Sequence, residues 1–165
     1  EFMGREIAEH NFSYKQFITY SILRHDRSVL RYKRTNKATE SRLHGLYSIG
    51  WGGHVNSLDN VLPLWNDAII AQTAQRELKE ETGIDNFKLV NNFLEKINYY
   101  YKKEGKAVYK EVVFFLVLTE TEDVKISEEH KRYKWCDYEE AYKLIGFKNT
   151  RQVLKKANDY IMKEI

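Results

Sequence analysis

The stretch RELKEETGI, residues 76–84, places three carboxylates close together, at Glu77, Glu80 and Glu81. The spacing i, i+3, i+4 puts all three on one face of a helix, a turn apart. Like charges stacked in this way repel each other by about a few tenths of a kcal/mol per pair. The triplet alone is also found on solvated helix faces. No lysine shares that face, since Lys79 projects from the other side of the helix, and this favours a hard divalent cation that gathers the three carboxylates.

The composition of the whole chain limits the classes of protein to consider. Its 165 residues are 42% hydrophobic and 31% charged, the balance of one globular domain rather than of a disordered or membrane protein. The net charge of +3 is compatible with a polyanionic substrate but too small to indicate nucleic-acid binding. The single cysteine, Cys136, excludes an internal disulfide, and no apolar run has the length of a membrane span. We therefore expect a cytoplasmic protein without a membrane partner.

The periodicity of apolar and aromatic residues predicts the order of the elements. Strands are predicted at 16–23, 29–34, within 46–55, at 87–101, 107–118 and 132–137, and turns at 25–28 and 104–106. Helices are predicted from Asn66 or Asp67 to Thr82, over 138–144 behind a capping box of Asp137 and Glu140, and from about Asn149 onward. Ala71, Ala74 and Leu78 form the buried stripe of the first helix, and Gly83 ends it. Hairpins flanked by helices predict an α+β fold or an α/β/α sandwich with a mixed β-sheet.

The helix pattern, joined to a glycine pair at a strand end, resembles the signature of the Nudix hydrolases. That signature reads G-x5-E-x7-R-E-U-x-E-E-x-G-U, where U is an aliphatic residue. Residues 76–84 match every specified position of its second half, and Gly52 and Gly53 supply the glycines. The resemblance implies a Nudix-type α/β/α sandwich that hydrolyses a nucleoside diphosphate linked to another moiety. We expect one domain over 3–165, with residues 1–2 as a cloning remnant.

The first half of the signature departs from the family pattern. Counted from Gly53, Asp59 stands where a glutamate belongs, and sixteen residues rather than seven separate it from Arg76. Counted back from Arg76, the position falls on Ala68. Either Asp59 replaces the glutamate and a nine-residue insertion follows, or this carboxylate is absent. The sequence RLHGLYSIGWGGHV also resembles a less-characterised bacterial and archaeal branch of the family that has a longer loop.

The resemblance also assigns roles around the metal, which is expected to be Mg²⁺ with Mn²⁺ as an alternative. Metal ligands are expected to be Glu77, Glu80, Glu81 and the carbonyl of Gly53. Arg76 is expected to hold the carboxylates in place, since Glu80 lies at i+4. Glu129, in the sequence SEEH, is expected to complete the cage or act as the base, with its neighbour Glu128 as an alternative.

The C-terminal half resembles the asymmetrical diadenosine tetraphosphate hydrolases. The shared features are a long strand pair with a basic turn, the pattern S-x-E-H-x-x-Y-x-W before a short helix, and F-K before the last helix. This resemblance implies a dinucleoside polyphosphate as substrate. The substrate-binding residues are then expected to be Tyr99, Tyr101 and Tyr133 for adenine stacking, His130 for phosphate contact, and Lys102 and Arg34 for the polyphosphate path.

Other interpretations stay open at this point. The substrate of a Nudix enzyme can instead be a nucleoside triphosphate, a nucleotide sugar, ADP-ribose or the 5′ end of an RNA. A non-catalytic nucleotide-binding regulator on the same scaffold is a second alternative, and an isoprenoid diphosphate isomerase is a third. The expected partner is a small nucleotide, and the protein is expected to be a monomer or a homodimer.

Overall fold

A mixed sheet with helices on both faces forms the molecule. The computed structural model describes residues 7, 11, 13, 16–36, 41–56, 67–103, 105–128 and 130–164. In this part of the chain the strands are β1 (Gln16–His25), β2 (Ser28–Arg34), β3 (Tyr47–Ser48), β4 (Gly50–Trp51), β5 (Phe87–Lys103), β6 (Lys106–Thr119) and β7 (His130–Cys136). The helices are α1 (Asp67–Thr82), α2 (Tyr138–Leu144) and α3 (Lys148–Glu164), with a short 3₁₀ turn at Ser41–Leu43. The predicted α+β, α/β/α architecture with a mixed sheet is confirmed.

Strand β1 lies at the centre of the sheet, whose order is β3-β2-β1-β6-β5. It runs parallel to β6, from the pair Gln16↔Lys110 to the pair Arg24↔Leu118. It is antiparallel to β2 and β4, and β7 adds to β2 on the far side. The long β5–β6 hairpin forms the other edge. Because β1 lies between β4 and β6, it supports the glycine loop that follows β4.

Alternate residues of the central strands face different layers, as a pleated sheet requires. Ile18 and Ile22 pack in one cluster with α2 and α3, where Val153, Leu154 and Ala157 are buried. On the other face, Leu23 and Leu78 share a second cluster, and Ala74 packs against the odd-numbered residues of β6. The predicted buried stripe of α1 therefore faces the sheet. The acidic residues flank this stripe: Glu77 and Glu81 are largely enclosed beside it, and Glu80 is exposed.

The helix ends follow the predicted chemistry with one correction. Gly83 has a φ of +69°, and its N–H donates to the Lys79 carbonyl at 2.8 Å, so α1 stops at the predicted residue. The Asp137 carboxylate caps α2 by accepting from the Glu140 N–H at 2.7 Å. The reciprocal half of the capping box was wrong: the Glu140 carboxylate instead binds Arg31 at 3.0 Å and Lys134 at 2.7 Å. Two cations attract a carboxylate more strongly than a neutral N–H does.

Several expectations fall outside the described residues. They concern the remnant at residues 1–2, Asp59 and most of the loop at 56–67, the alternative cap Asn66, and Glu129. Among the helices that the structure describes, none is both long enough and apolar enough to cross a membrane.

Candidate active site

The glycine loop, Gly52 and Gly53, follows β4 and lies against the acidic helix α1. Gly52 has a φ of +149°, and a Cβ at this position would lie 2.1 Å from the Thr19 carbonyl oxygen, so only glycine fits. The Thr19 N–H donates to the Gly53 carbonyl at 2.9 Å. A Cβ on Gly53 would lie 2.5 Å from Glu77 Oε2. The loop is thus held against β1 on one side and against the Glu77 carboxylate on the other.

Arg76 connects two of the carboxylates and the glycine loop. Its Nη2 lies 2.9 Å from Glu77 Oε1, and its Nη1 donates to Glu80 Oε2 at 2.9 Å. Nη2 also approaches the His54 carbonyl at 3.5 Å. The i,i+4 contact with Glu80 is the one expected from the spacing. The planar guanidinium fork suits this bridging geometry.

Glu77 is the most enclosed of the three acids, with a side chain 13% exposed. Burial raises its pKa to about 7 from an ordinary value of 4.5, because a carboxylate loses hydration there. The Arg76 guanidinium lowers this pKa, whereas Glu80 and Glu81 raise it further. Near neutral pH, the protonated and the ionised form of Glu77 are therefore both populated. A cation bound beside it would favour the ionised form.

This raised pKa predicts the pH dependence of cation binding. A cation binds the ionised carboxylate, so the apparent affinity for Mg²⁺ should rise about tenfold per pH unit up to pH 7 and then level off. The stability of the metal-free protein should change with pH in the opposite direction. The folded state holds the proton of Glu77 more tightly than the unfolded state does. The free energy of unfolding should therefore fall as pH rises from about 4.5 to 7. Calorimetric titration of Mg²⁺ and urea unfolding across this range measure the two slopes. Glu77→Gln should remove this contribution from both slopes, and slopes unchanged in this variant would assign them to another group.

Glu81 contacts residues outside α1: Ser127, which precedes β7, and His130, the first residue of β7. The Nδ1 atom of His130 lies 2.7 Å from Glu81 Oε2, and the Ser127 hydroxyl donates to the same oxygen at 2.8 Å. Burial would raise the pKa of Glu81, but these two hydrogen bonds, the His130 ring and the charge of Arg34 outweigh it and hold the pKa below its ordinary value. Two acids on one helix face thus have pKa values shifted in opposite directions.

His130, which the sequence placed at a phosphate, is mostly buried beside Glu81. The residue is 8% exposed, and its ring packs edge-on against Tyr32 at 4.0 Å and beside Trp51 at 5.1 Å between ring centroids. The ring contacts Glu81, and the phosphate contact expected from the sequence stays a prediction. The contact of Ser127 and His130 with Glu81 was not predicted from the sequence. The S-x-x-H spacing ahead of a strand was the available signal.

The donor set suits a hard cation. The carboxylates of Glu77, Glu80 and Glu81 and the carbonyl of Gly53 are all oxygen donors, and Mg²⁺ commonly uses one or two carboxylates while keeping several waters. In the described ranges no three acidic, histidine or cysteine side chains already converge on one point. The contacts explain this: Arg76 holds Glu77 and Glu80, whereas His130 holds Glu81. The residues present fit a magnesium ion bound partly through water.

A pocket of about 330 Å³ opens on the sheet face that α2 and α3 cover. Its walls come from β1, the end of β2, the 3₁₀ turn, β3, β5, β6 and the start of α3. The aromatic, cationic and polar residues that line it are Tyr20, Arg34, Arg42, Tyr47, Ser48, Tyr99, Tyr100, Phe147, Lys148, Asn149 and Thr150. This mixture of flat rings and cations is suited to a nucleotide.

The structure separates the residues predicted to bind substrate into two groups. Tyr99 and Arg34 line the pocket. Tyr101 lies beside it, where the Arg42 guanidinium covers the Tyr101 ring at 4.4 Å and the Tyr99 ring at 5.4 Å. Tyr133 on β7 and Lys102 near the hairpin end are exposed and do not line this pocket, and their expected contacts with substrate stay predictions.

Arg34 connects the pocket with the acidic helix. Its Nη2 donates to the Tyr20 hydroxyl at 3.1 Å inside the pocket wall. Its charge also contributes to lowering the pKa of Glu81. A ligand that fills the pocket and extends past Arg34 would therefore carry its negative charge toward the carboxylates.

The sheet, the glycine loop and the Arg-Glu helix have the arrangement that the Nudix signature predicts. The comparison with protein families agrees: the NUDIX domain model matches residues 16–157. The chain belongs to the Nudix family, and it is a hydrolase that acts on pyrophosphate bonds.

Three relatives illustrate the range of similar proteins. The mouse asymmetrical bis(5′-nucleosyl)-tetraphosphatase is 30% identical over 113 residues, which cover 66% of this chain and 68% of the mouse protein. The crystal structure of a Caenorhabditis elegans Ap4A hydrolase binary complex superposes with a TM-score of 0.64 at 21% identity, over 90% of this chain and 98% of that one. The NUDIX domain of Shewanella oneidensis NrtR, complexed with ADP ribose, has a TM-score of 0.62 at 14% identity, over 96% and 99% of the two chains. The two structural similarities show the fold alone.

Proposed function

We propose that this protein hydrolyses a dinucleoside polyphosphate of the diadenosine tetraphosphate type in a Mg²⁺-dependent reaction. The observation that carries the proposal is the aromatic pocket beside the acidic face of α1. Arg34, which lines the pocket, pairs in the sheet with His130, whose Nδ1 lies 2.7 Å from Glu81 Oε2. A substrate with a base at one end and a long chain of phosphates matches that succession of rings, cation and carboxylates. The similarity to the mouse tetraphosphatase supports the same substrate class.

In this proposal the residues of α1 and the glycine loop hold the cation. The ligands are Glu77, Glu80, Glu81 and the carbonyl of Gly53, and Arg76 keeps Glu77 and Glu80 directed toward each other. When bound, Mg²⁺ offsets the phosphate charge and lowers the pKa of a bound water. Glu129, outside the described residues, is retained as the proposed remaining acid. Its neighbours in the chain, Ser127 and His130, both contact Glu81.

The pocket would bind one nucleoside of the substrate. Tyr99 offers a ring for stacking with a base. The Arg42 guanidinium lies over that ring, 5.4 Å from its centroid, and a bound base could take the same position. Lys148 and Asn149, at the start of α3, add a cation and an amide to the same wall. Arg34 would contact the first phosphates, which would lie between the pocket and Glu81. A single cytoplasmic domain over 3–165 with a small nucleotide substrate completes the proposal.

Replacement of the stacking ring tests the pocket assignment. Tyr99→Ala should raise KM for diadenosine tetraphosphate by about 5–100-fold and leave kcat nearly unchanged, because base stacking contributes about 1–3 kcal/mol of binding. Steady-state kinetics at saturating Mg²⁺ give both constants. Tyr133→Ala is the matched control and should leave KM unchanged. A rise of KM in the Tyr133 variant alone would mean that the base binds at Tyr133 on β7 and not at Tyr99.

A substrate panel tests the proposed function as a whole. Hydrolysis of diadenosine tetraphosphate, ATP, ADP-ribose, a nucleotide sugar and a 5′-triphosphate RNA is followed with and without Mg²⁺. Release of ATP and AMP from diadenosine tetraphosphate, at a higher kcat/KM than for the other compounds, is the expected result. Faster cleavage of another compound would overturn the proposed substrate, and that compound would become the proposed one. Tight binding of a nucleotide without any turnover would instead favour a regulator on this scaffold.

A further inference from the structure

Glu81 is held from outside its own helix by two side chains that the proposed function has not used. His130 Nδ1 and Ser127 Oγ lie 2.7 and 2.8 Å from the same atom, Glu81 Oε2, and 2.9 Å from each other. An ionised carboxylate only accepts hydrogen bonds, so Nδ1 must carry its proton and donate. The three side chains therefore form a closed triangle with both donors directed at one carboxylate oxygen.

Backbone hydrogen bonds fix the chain that supplies these donors to the end of α1. The Ser127 N–H donates to the Glu81 carbonyl at 3.1 Å, and the Lys125 N–H donates to the Thr82 carbonyl at 2.9 Å. The His130 N–H closes back on the Ser127 carbonyl at 3.1 Å. Ser127 thus contacts Glu81 through both its backbone and its side chain. The donors cannot move away from Glu81 without breaking several bonds.

The direction of the His130 ring is set from behind by the core. Tyr32 meets it edge-on, with an interplanar angle of 86°, and Trp51 packs at its side. The Tyr32 hydroxyl donates to the Gly50 carbonyl at 2.8 Å, and the Trp51 indole N–H donates to the Leu30 carbonyl at 3.1 Å. Both rings are therefore fixed themselves. The packed core thus fixes the His130 ring with its Nδ1–H directed at Glu81.

We propose that Ser127 and His130 form a latch that fixes the rotamer of Glu81 and positions its carboxylate for the cation. Both donors occupy Oε2, and in the described part of the chain no side chain donates to Oε1. Oε1 is then the oxygen presented to the metal. Ser127 and His130 are positioning residues, because they act only through Glu81. The inference rests on the proposed function in one respect, the role of Glu81 as a metal ligand.

The test measures cation binding directly, so it does not depend on the substrate. Mn²⁺ binding to the full chain is followed by calorimetry for wild type, Ser127→Ala, His130→Leu and His130→Asn. Loss of a residue that orients a metal ligand commonly weakens metal binding by about 10–100-fold, and we expect this range for His130→Leu and its lower end for Ser127→Ala. His130→Asn keeps an N–H near the position of Nδ1 and should recover most of the affinity. The double variant should lose less than the product of the two single losses, because both donors act on one oxygen.

The control separates orientation from packing. His25 also lies beside a glutamate, Glu122 at 3.4 Å, and beside a tryptophan ring, so His25→Leu is a matched change away from Glu81. It should leave Mn²⁺ affinity unchanged. A packing role for His130 would lower the melting temperature equally in the Leu and Asn variants without the difference in Mn²⁺ affinity, and that result would overturn the latch. So would unchanged affinity in Ser127→Ala and His130→Leu, or an absence of Mn²⁺ binding by wild type. If wild type binds Mn²⁺ and the variants follow the expected order, but diadenosine tetraphosphate is not cleaved, the latch is supported and the proposed substrate alone fails.

Discussion

Glu81→Gln should lower kcat for metal-dependent hydrolysis by about 10²–10³-fold, the largest effect on activity that we expect from a single change. The amide keeps the volume of the side chain and can still accept the hydrogen bonds from Ser127 and His130. It removes the negative charge that a cation needs. The fold should survive, so the melting temperature should change little. Hydrolysis of diadenosine tetraphosphate, measured over a range of Mg²⁺ concentrations, gives the loss.

A matched control for this change is Glu139→Gln, which removes the same charge from the exposed first turn of α2. Its activity should stay near that of wild type, since Glu139 belongs neither to the residues that line the pocket nor to the acidic face of α1. If Glu81→Gln retains full activity at limiting Mg²⁺, the role of Glu81 as a metal ligand is wrong. The latch of Ser127 and His130 would then have no part in catalysis.

Gly52→Ala should destabilise the protein by roughly 2–6 kcal/mol, the largest expected effect on stability. The new Cβ would lie 2.1 Å from the Thr19 carbonyl oxygen, and the residue would keep a φ of +149° that L side chains rarely adopt. Backbone strain of about 1–3 kcal/mol adds to an overpacking cost of about 1–3 kcal/mol. The Thr19 carbonyl belongs to the backbone of β1, so it cannot rotate away from the new Cβ as a flexible side chain could. Urea unfolding gives the change in free energy.

Gly105→Ala is the control for the strain alone. Gly105 lies in the β5–β6 turn with a φ of +79°, and a Cβ there would meet nothing within 4 Å. Its cost should be about 1–2 kcal/mol, the usual cost of a left-handed residue other than glycine. The difference between the two variants measures the contact with Thr19. Equal costs would mean that the glycine loop has room to move away from β1.

Much of the fold and the metal face follow from short-range patterns in the sequence. The spacing of Glu77, Glu80 and Glu81 determined that they share one helix face, and Arg76 could be paired with Glu80 because i,i+4 neighbours meet on any helix. The end of α1 at Gly83 and the hairpins were predictable for the same reason. Each depends on a few consecutive residues and on backbone geometry that is the same in every protein.

The surroundings of that face were decided only by the tertiary structure. Glu81 and Ser127 are 46 residues apart, and nothing local to either shows that they are bonded. Similarly, the pocket takes Tyr20, Arg42, Tyr99 and Phe147 from four separate segments. Their meeting depends on the strand order and on where α3 covers the sheet.

The same distinction applies to two of the residues predicted to bind substrate. From the sequence, His130 is expected at a phosphate and Tyr133 at a base, because histidine and tyrosine are suited to those contacts. The structure encloses the His130 ring between Tyr32 and Trp51 and leaves Tyr133 37% exposed outside the pocket, and neither environment follows from local spacing. The sequence by itself determined which groups are chemically able to bind a cation and a nucleotide. Packing across the sheet decided which of them face one another, because contacts between distant segments are set by the burial of the whole core rather than by local spacing.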